Sequence, residues 1–189
     1  MNSKKLFSPD RWFILFLLLV FLIPQLVQAQ FSESEIKAVY LEKFALFIEW
    51  PAESSLADST KPFVIGVVKD KAFSKVLIEI YQERKIKNRK VQIKYFSDLN
   101  SIKDCNIMFI SGSNQDELAL ILSRIEGKPI LTISDTEGFA EKGIHIDFFL
   151  ESDKLKFEIN QAALKKSGLQ ASYQLLQLAR IVTSPGGNK

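Results

Sequence analysis

Cysteine and histidine are almost absent from this sequence, with one of each among 189 residues. A lone cysteine excludes an intramolecular disulfide framework. A lone histidine leaves zinc and haem chemistry short of ligands, so the sequence points to no metal and no cofactor. Glycine (8) and proline (6) are too scarce for a collagen-like or low-complexity chain. A dominant charge is lacking too. The 25 Lys and Arg stand against 22 Asp and Glu, and a balance of +3 does not describe a nucleic-acid binder. With 47% hydrophobic and 25% charged residues, the chain is neither disordered nor a multispan membrane protein.

What is present begins with a leader. Lys4, Lys5 and Arg11 precede an unbroken apolar run from Trp12 to Ile23. As a helix that run would cover ~18 Å, well short of a hydrocarbon core of ~30 Å. Pro24 ends it, and Val27 and Ala29 stand where a signal peptidase reads. This pattern predicts a secretory signal over residues 1–29, cleaved between Ala29 and Gln30, and a folded domain over residues 30–189. An uncleaved anchor is the competing reading, and the short run weighs against it. After cleavage no membrane span is expected. The remaining chain is long enough to bury roughly 68–70% of its unfolded surface without disulfide staples. Export also removes it from ATP, NAD and DNA.

The periodicity of the exported part alternates between strand and helix. Ser32 and Glu35 form a capping box, and Ile36, Val39, Tyr40, Phe44, Phe47 and Ile48 follow as one broad apolar face of a helix that Pro51 stops. Phe63–Val68 reads as a buried strand, residues 71–81 as a helix and Val91–Phe96 as a half-buried strand. Ile107–Ile110 is another buried strand. Asn114 and Glu117 open a helix that runs to Ile125 and closes at Gly127. Ile130–Ile133 is a fourth strand. The segments 144–150 and 155–159 flank a hairpin turn at Glu151–Lys154. Asn160 caps a further helix that Gly168 interrupts, and a last helix runs from Ser172 to Val182. The order implies a single three-layer α/β domain, with a largely parallel sheet, an antiparallel hairpin at one edge and helices on both faces.

Few residues suggest chemistry. His145 lies between Ile144 and Ile146, so alternation points its imidazole away from their face, toward solvent or a sheet edge. Cys105 precedes a buried strand and reads as a small hydrophobe, with no basic neighbour to activate it. No nucleophile is paired with a base, so no catalytic residues are assigned and the chain does not read as an enzyme. Arg84, Lys85, Lys87, Arg89 and Lys90 read as a solvated turn, or as a contact for an acidic partner or headgroups. At the carboxyl ends of the parallel strands, Ser111, Ser113, Asn114, Ser134 and Asp135 could line a ligand crevice, although the same residue types also cap helices. Glu49-Trp50-Pro51 and Gly138-Phe139-Ala140 place aromatics beside breaks in the chain. Taken singly, each aromatic reads as core. Exposed together, Trp50 and Phe139, with Glu49, would anchor a protein partner.

From residue 34 to residue 182 the sequence resembles the YfiR-like family of exported bacterial proteins. The segments that carry the resemblance are Ala38–Phe44 running into Phe47–Pro51, then Phe63–Val67, Cys105–Ser111, and Leu131–Asp135 with Gly138–Ala140. Phe157–Asn160 and Leu175–Ala179 complete it. Asn106 departs from the histidine common after the cysteine, and Cys105 has no partner for the disulfide that other members can form. The resemblance implies a periplasmic α/β protein without catalytic residues, self-associating as a homodimer. It implies repression of an inner-membrane diguanylate cyclase, or another membrane sensor, through its periplasmic domain, with lower cyclic di-GMP and less biofilm. The alternative expectation is a periplasmic small-ligand sensor or carrier that uses the strand-end crevice.

Overall fold

The computed structural model describes residues 32–183. The expected leader over residues 1–29 lies outside the described residues. The chain begins with α1 (Glu33–Phe47), whose capping box forms as expected: Ser32 Oγ accepts from the Glu35 N–H, and Glu35 Oε2 accepts from the Ser32 N–H at 2.7 Å. The helix ends earlier than Pro51 required. Residues Ile48–Glu49 turn extended as β1 and pair antiparallel with β9 (Gln170–Ala171), forming a two-stranded ribbon.

The main sheet comprises β2 (Phe63–Val68), β3 (Lys85–Ile86), β4 (Arg89–Phe96), β5 (Ile107–Ile110), β6 (Leu131–Ser134), β7 (Ile146–Glu151), β8 (Lys154–Asn160) and β10 (Arg180–Val182), in the order β10-β8-β7-β6-β5-β2-β4-β3. Its centre, from β7 to β4, is parallel throughout. The fold is therefore the expected α/β domain with a largely parallel sheet. The β7–β8 hairpin also forms, with Ser152 and Asp153 at positive φ (51° and 58°), as a two-residue turn of the hairpin kind requires. It is not the edge, because β10 adds parallel to β8 outside it. The predicted helix from Ser172 to Val182 is thus two elements: α5 (Tyr173–Leu178), then β10. The basic run likewise does more than turn. Lys85–Ile86 and Arg89 onward form a second hairpin at the opposite edge, with Lys87 and Asn88 at φ 49° and 62°.

Strand alternation divides the core into two layers. On the first face, Phe63, Ile65 and Val67 of β2, Ile107 and Phe109 of β5, and Ile146, Phe148, Phe157 and Ile159 of the hairpin meet four helices. These are α1, α2 (Lys71–Tyr81), α4 (Gln161–Lys166) and α5. On the second face, Val68, Met108 and Ile110 meet α3 (Gln115–Ile125) through Leu118, Ile121 and Ile125. Helices thus cover both faces. No helix among the described residues is long and apolar enough to cross a membrane.

The second face changes character toward β6, β7 and β8. There the inward residues are Thr132, Ser134, His145, Asp147, Glu158 and Asn160, all buried. They lie in register across the strands: Ser134 beside Asp147, Asp147 beside Glu158, and Glu158 beside Arg180. No helix lies in the β6–β7 crossover. The connecting segment 135–145 itself covers this face and sends Phe139 and Ile144 into the α3 layer.

The sheet leaves no room for a side chain at Gly66 of β2, where an added Cβ would stand 2.8 Å from Phe96 Cε2 and 3.2 Å from Cys105 Sγ. Gly66→Ala is therefore expected to lower the urea midpoint by the equivalent of about 1–3 kcal/mol, the usual cost of overpacking. Phe96→Leu in the same chain should return part of that loss.

Candidate functional site

The residues expected to form a strand-end crevice fall into two groups. Asn114 is the N-cap of α3: its Oδ1 accepts from the Glu117 N–H at 3.0 Å, and Glu117 Oε2 accepts from the Asn114 N–H at 3.2 Å. Glu117 is also ion-paired to Lys69 at the end of β2, so the chain's own carboxylate occupies the start of this helix. Ser111 lies half-buried beside it. Ser113 is buried, with a hydroxyl that has no partner among the described residues.

Ser134 and Asp135 belong elsewhere. Ser134 Oγ accepts from the Thr136 N–H at 3.0 Å, and Asp135 accepts from Lys37 Nζ at 2.7 Å. Lys37 is buried on α1 and also pairs with Glu33 at 2.6 Å. Burial alone would lower its pKa, but the hydrogen bonds it donates to Asp135 and Glu33 outweigh that and hold it above the usual lysine value. Asp135, Lys37 and Glu33 border a cleft of about 440 Å³ with Phe149, Leu155 and Arg180; Ser111, Ser113 and Asn114 do not line it.

The two aromatics expected to act together are separated. Trp50 is half-buried on the first-face layer, edge-on to Phe63 at 6.1 Å. Its Nε1–H donates to the Pro129 carbonyl at 3.0 Å, and Lys87 Nζ lies 5.4 Å above its ring. Phe139 is 3% exposed and belongs to the α3 layer on the other face. Glu49 is exposed on β1. Trp50 and Glu49 therefore reach the surface, whereas Phe139 is core.

His145 corrects the sequence reading most. Both faces are covered at the start of β7, where Ile146, Asp147 and Phe148 are all buried, so the side that alternation assigned to solvent is buried at His145 too. Its Nδ1 accepts from the Thr132 N–H at 3.0 Å, and its own N–H donates to Thr132 Oγ1 at 3.0 Å. A backbone N–H can only donate, so the ring proton is on Nε2, which lies 3.0 Å from Ser167 Oγ. Burial depresses the imidazole pKa to about 4, against a hydrogen bond to the Ala163 backbone. A neutral ring with its proton directed at Ser167 cannot take a proton from that hydroxyl, so the pair is not an activated nucleophile. Cys105 matches its expected role: it is buried, and burial pushes its thiol up to about 12.

Asp147 was not singled out by sequence, although an aspartate inside Ile146-Asp147-Phe148-Phe149 was a visible signal. Its Oδ2 accepts from the Phe139 N–H at 3.1 Å, while its buried Oδ1 has no partner among the described residues. Burial raises its pKa to about 7; the charges of Glu158 and Asp135 add to that, and the Phe139 and Ala140 amides oppose it.

An exposed row of apolar residues lies on α1. Its apolar residues do not form one broad face. Ala38, Leu41, Phe44, Ala45 and Ile48 point into the core, while Ile36 (37% exposed), Val39 (37%), Leu46 (50%) and Phe47 (38%) lie on the opposite side. The Ser172 N–H donates to the Phe47 carbonyl at 2.9 Å, which places the exposed Tyr173 of α5 beside this end of the helix.

Two opposed titrations follow. Asp147, raised above its unfolded value, contributes stability below about pH 4 that is lost as pH rises through about 7. His145, depressed below its unfolded value, contributes stability above about pH 6.5 that is lost as pH falls through about 4. The wild-type urea midpoint should therefore vary little from these two groups between pH 4 and 7. Asp147→Asn should expose a rise with pH, and His145→Gln a fall. Separately, Phe139→Ala should cost about 3–5 kcal/mol in the same assay, as a buried aromatic does.

None of the curated proteins compared with the chain matches it. The model of the YfiR/HmsC-like family matches residues 34–180, from the first turn of α1 to the start of β10. That span takes in both core layers, both hairpins and the covered polar face, and so the chain belongs to the YfiR/HmsC-like family.

Proposed function

We propose that this chain is a periplasmic regulatory protein, exported by its 1–29 leader, that binds the periplasmic domain of an inner-membrane signalling enzyme and holds it inactive. In this reading the enzyme is a diguanylate cyclase, and the result is less cyclic di-GMP and less biofilm. Family membership supports the reading. The observation that carries it is the outward stripe of α1, because a helix apolar on two opposite sides normally has partners on both.

The contact surface is assigned to Ile36, Val39, Leu46 and Phe47, continuing into Glu49 and Trp50 where α1 gives way to β1. Phe139 acts from within, by supporting the α3 layer. Repression requires tighter binding to the inactive than to the active enzyme, and about 1.4 kcal/mol of such preference shifts the equilibrium tenfold. No catalytic step enters this reading. Self-association as a homodimer belongs to it as well, and light scattering of the leaderless protein tests that part.

Deleting the gene in its host should raise cellular cyclic di-GMP, and an exported wild-type copy should restore it, whereas a copy lacking residues 1–29 should not. An exported Val39→Asp/Leu46→Asp copy, shown by its unfolding curve to be folded, should fail to restore it. Full restoration by that variant would remove α1 as the contact, and unchanged cyclic di-GMP on deletion would remove the cyclase.

A further inference from the structure

A second cleft, of about 380 Å³, opens at the other end of the sheet from the crevice that the sequence suggested. It lies where α3 ends, next to α4, with Thr132 and His145 near the starts of β6 and β7 on its floor. Its volume is within the range of small-molecule sites, roughly 300–1,000 Å³. The space exists because small residues stand where side chains would fill it, among them Gly127, Gly143, Ala162 and Ala163. Gly143 is at φ 108°, so a larger residue there is disfavoured by the backbone.

The lining is chemically two-sided. Leu122, Ile125 and Ile130 form an apolar wall, while Lys128, Lys142 and Lys166 stand against the single acid Glu126. Lys128 is held by Asp104 at 2.8 Å, and Lys166 by Glu126 at 2.9 Å. Lys142 has no carboxylate partner among the described residues; its ammonium lies 5.6 Å from the Phe139 ring centre. On the floor, Ser167 Oγ accepts from His145 Nε2–H, which leaves the hydroxyl's own proton without an acceptor among the described residues. An ammonium without a carboxylate and a hydroxyl proton without an acceptor, among the described residues, therefore border one space, next to an apolar wall and a neutral imidazole.

We propose that this cleft binds a small organic anion, with its acidic head between Lys142 and Ser167 and its apolar body against Leu122, Ile125 and Ile130. Lys142 supplies the charge-assisted hydrogen bond, and the Ser167 hydroxyl supplies direction. The inference stands apart from the regulatory reading, because the α1 stripe lies on the first face of the sheet and the cleft opens beside α3 on the second.

His145 is the chain's only histidine, so its ring resonances in the untagged protein report on the floor of this cleft without overlap. Phenyl phosphate and benzoate serve as probes, distinguishing a phosphoryl head from a carboxylate, with benzyl alcohol as the uncharged control. At least one of the two anions should shift the His145 ring signals saturably and raise the melting temperature, as a ligand of the folded state must. Benzyl alcohol should do neither. Lys142→Gln, at an exposed position, should keep the unliganded melting temperature and weaken binding by about tenfold, the usual scale for one lost charged contact. Ala162→Leu, which narrows the mouth, should weaken it too. The proposal is overturned if neither anion moves the His145 signals, if benzyl alcohol moves them equally, or if both variants respond as the wild type does.

Discussion

The structure depends on how β6 and β7, two parallel neighbours, are joined. Such a connection must cross the sheet, and a helix usually makes the crossing because it satisfies its own backbone. Here no helix lies in the crossover, and the sheet beneath supplies the hydrogen bonds instead. Ser134 takes the Thr136 N–H, Asp147 takes the Phe139 N–H, and Asn160 Nδ2–H donates to the Ala140 carbonyl at 2.7 Å. Thr132 and His145 close the base of the segment by exchanging side-chain and backbone bonds. An apolar face under this segment would have left those backbone groups unpaired.

That solution sets the chemistry of the second face. The carboxylate that accepts the Phe139 amide is itself buried, beside a second carboxylate, Glu158, so its proton is held to about pH 7. Glu158 remains compensated because Arg180 on β10 donates to it through Nε at 2.8 Å while stacking on Phe149 at 3.8 Å. β10 therefore does more than extend the sheet: it brings the cation that makes the buried row tolerable. His145 and Asp147 are both neutral in their favoured forms. Their titrations oppose one another, so the polar face is insulated from moderate changes in acidity.

With the sheet interior committed to structure, the features left for recognition are on the outside. The crevice at the carboxyl ends of β2 and β5 is taken by the Lys69–Glu117 pair and the Asn114 cap. In the cleft at Asp135, both cations, Lys37 and Arg180, are already paired with carboxylates. The outward stripe of α1 and the lysine-rimmed cleft beside α3 lie on opposite faces of the sheet. Two surfaces separated in this way can be occupied independently of one another.

Local pattern was enough for much of the fold. The α/β order, the capping boxes at Ser32 and Asn114, the Asn160 cap, the Ser152-Asp153 turn and the inert burial of Cys105 were all legible, because each depends on residues within a few positions of one another. What lay beyond the sequence was which neighbours would meet. Alternation told that His145 pointed away from Ile144 and Ile146, but not that the segment before it would fold over that side. The apolar residues of α1 were visible, but only packing against the sheet divided them into an inner and an outer stripe. Trp50 and Phe139 looked alike beside chain breaks until the sheet placed them in different layers. The sequence by itself determined the longer elements and their caps, since these follow from short-range hydrogen bonding and periodicity; the short strands β1, β3, β9 and β10 exist only because another strand pairs with them. Tertiary structure alone decided which faces are covered, and with them where any partner or ligand can bind.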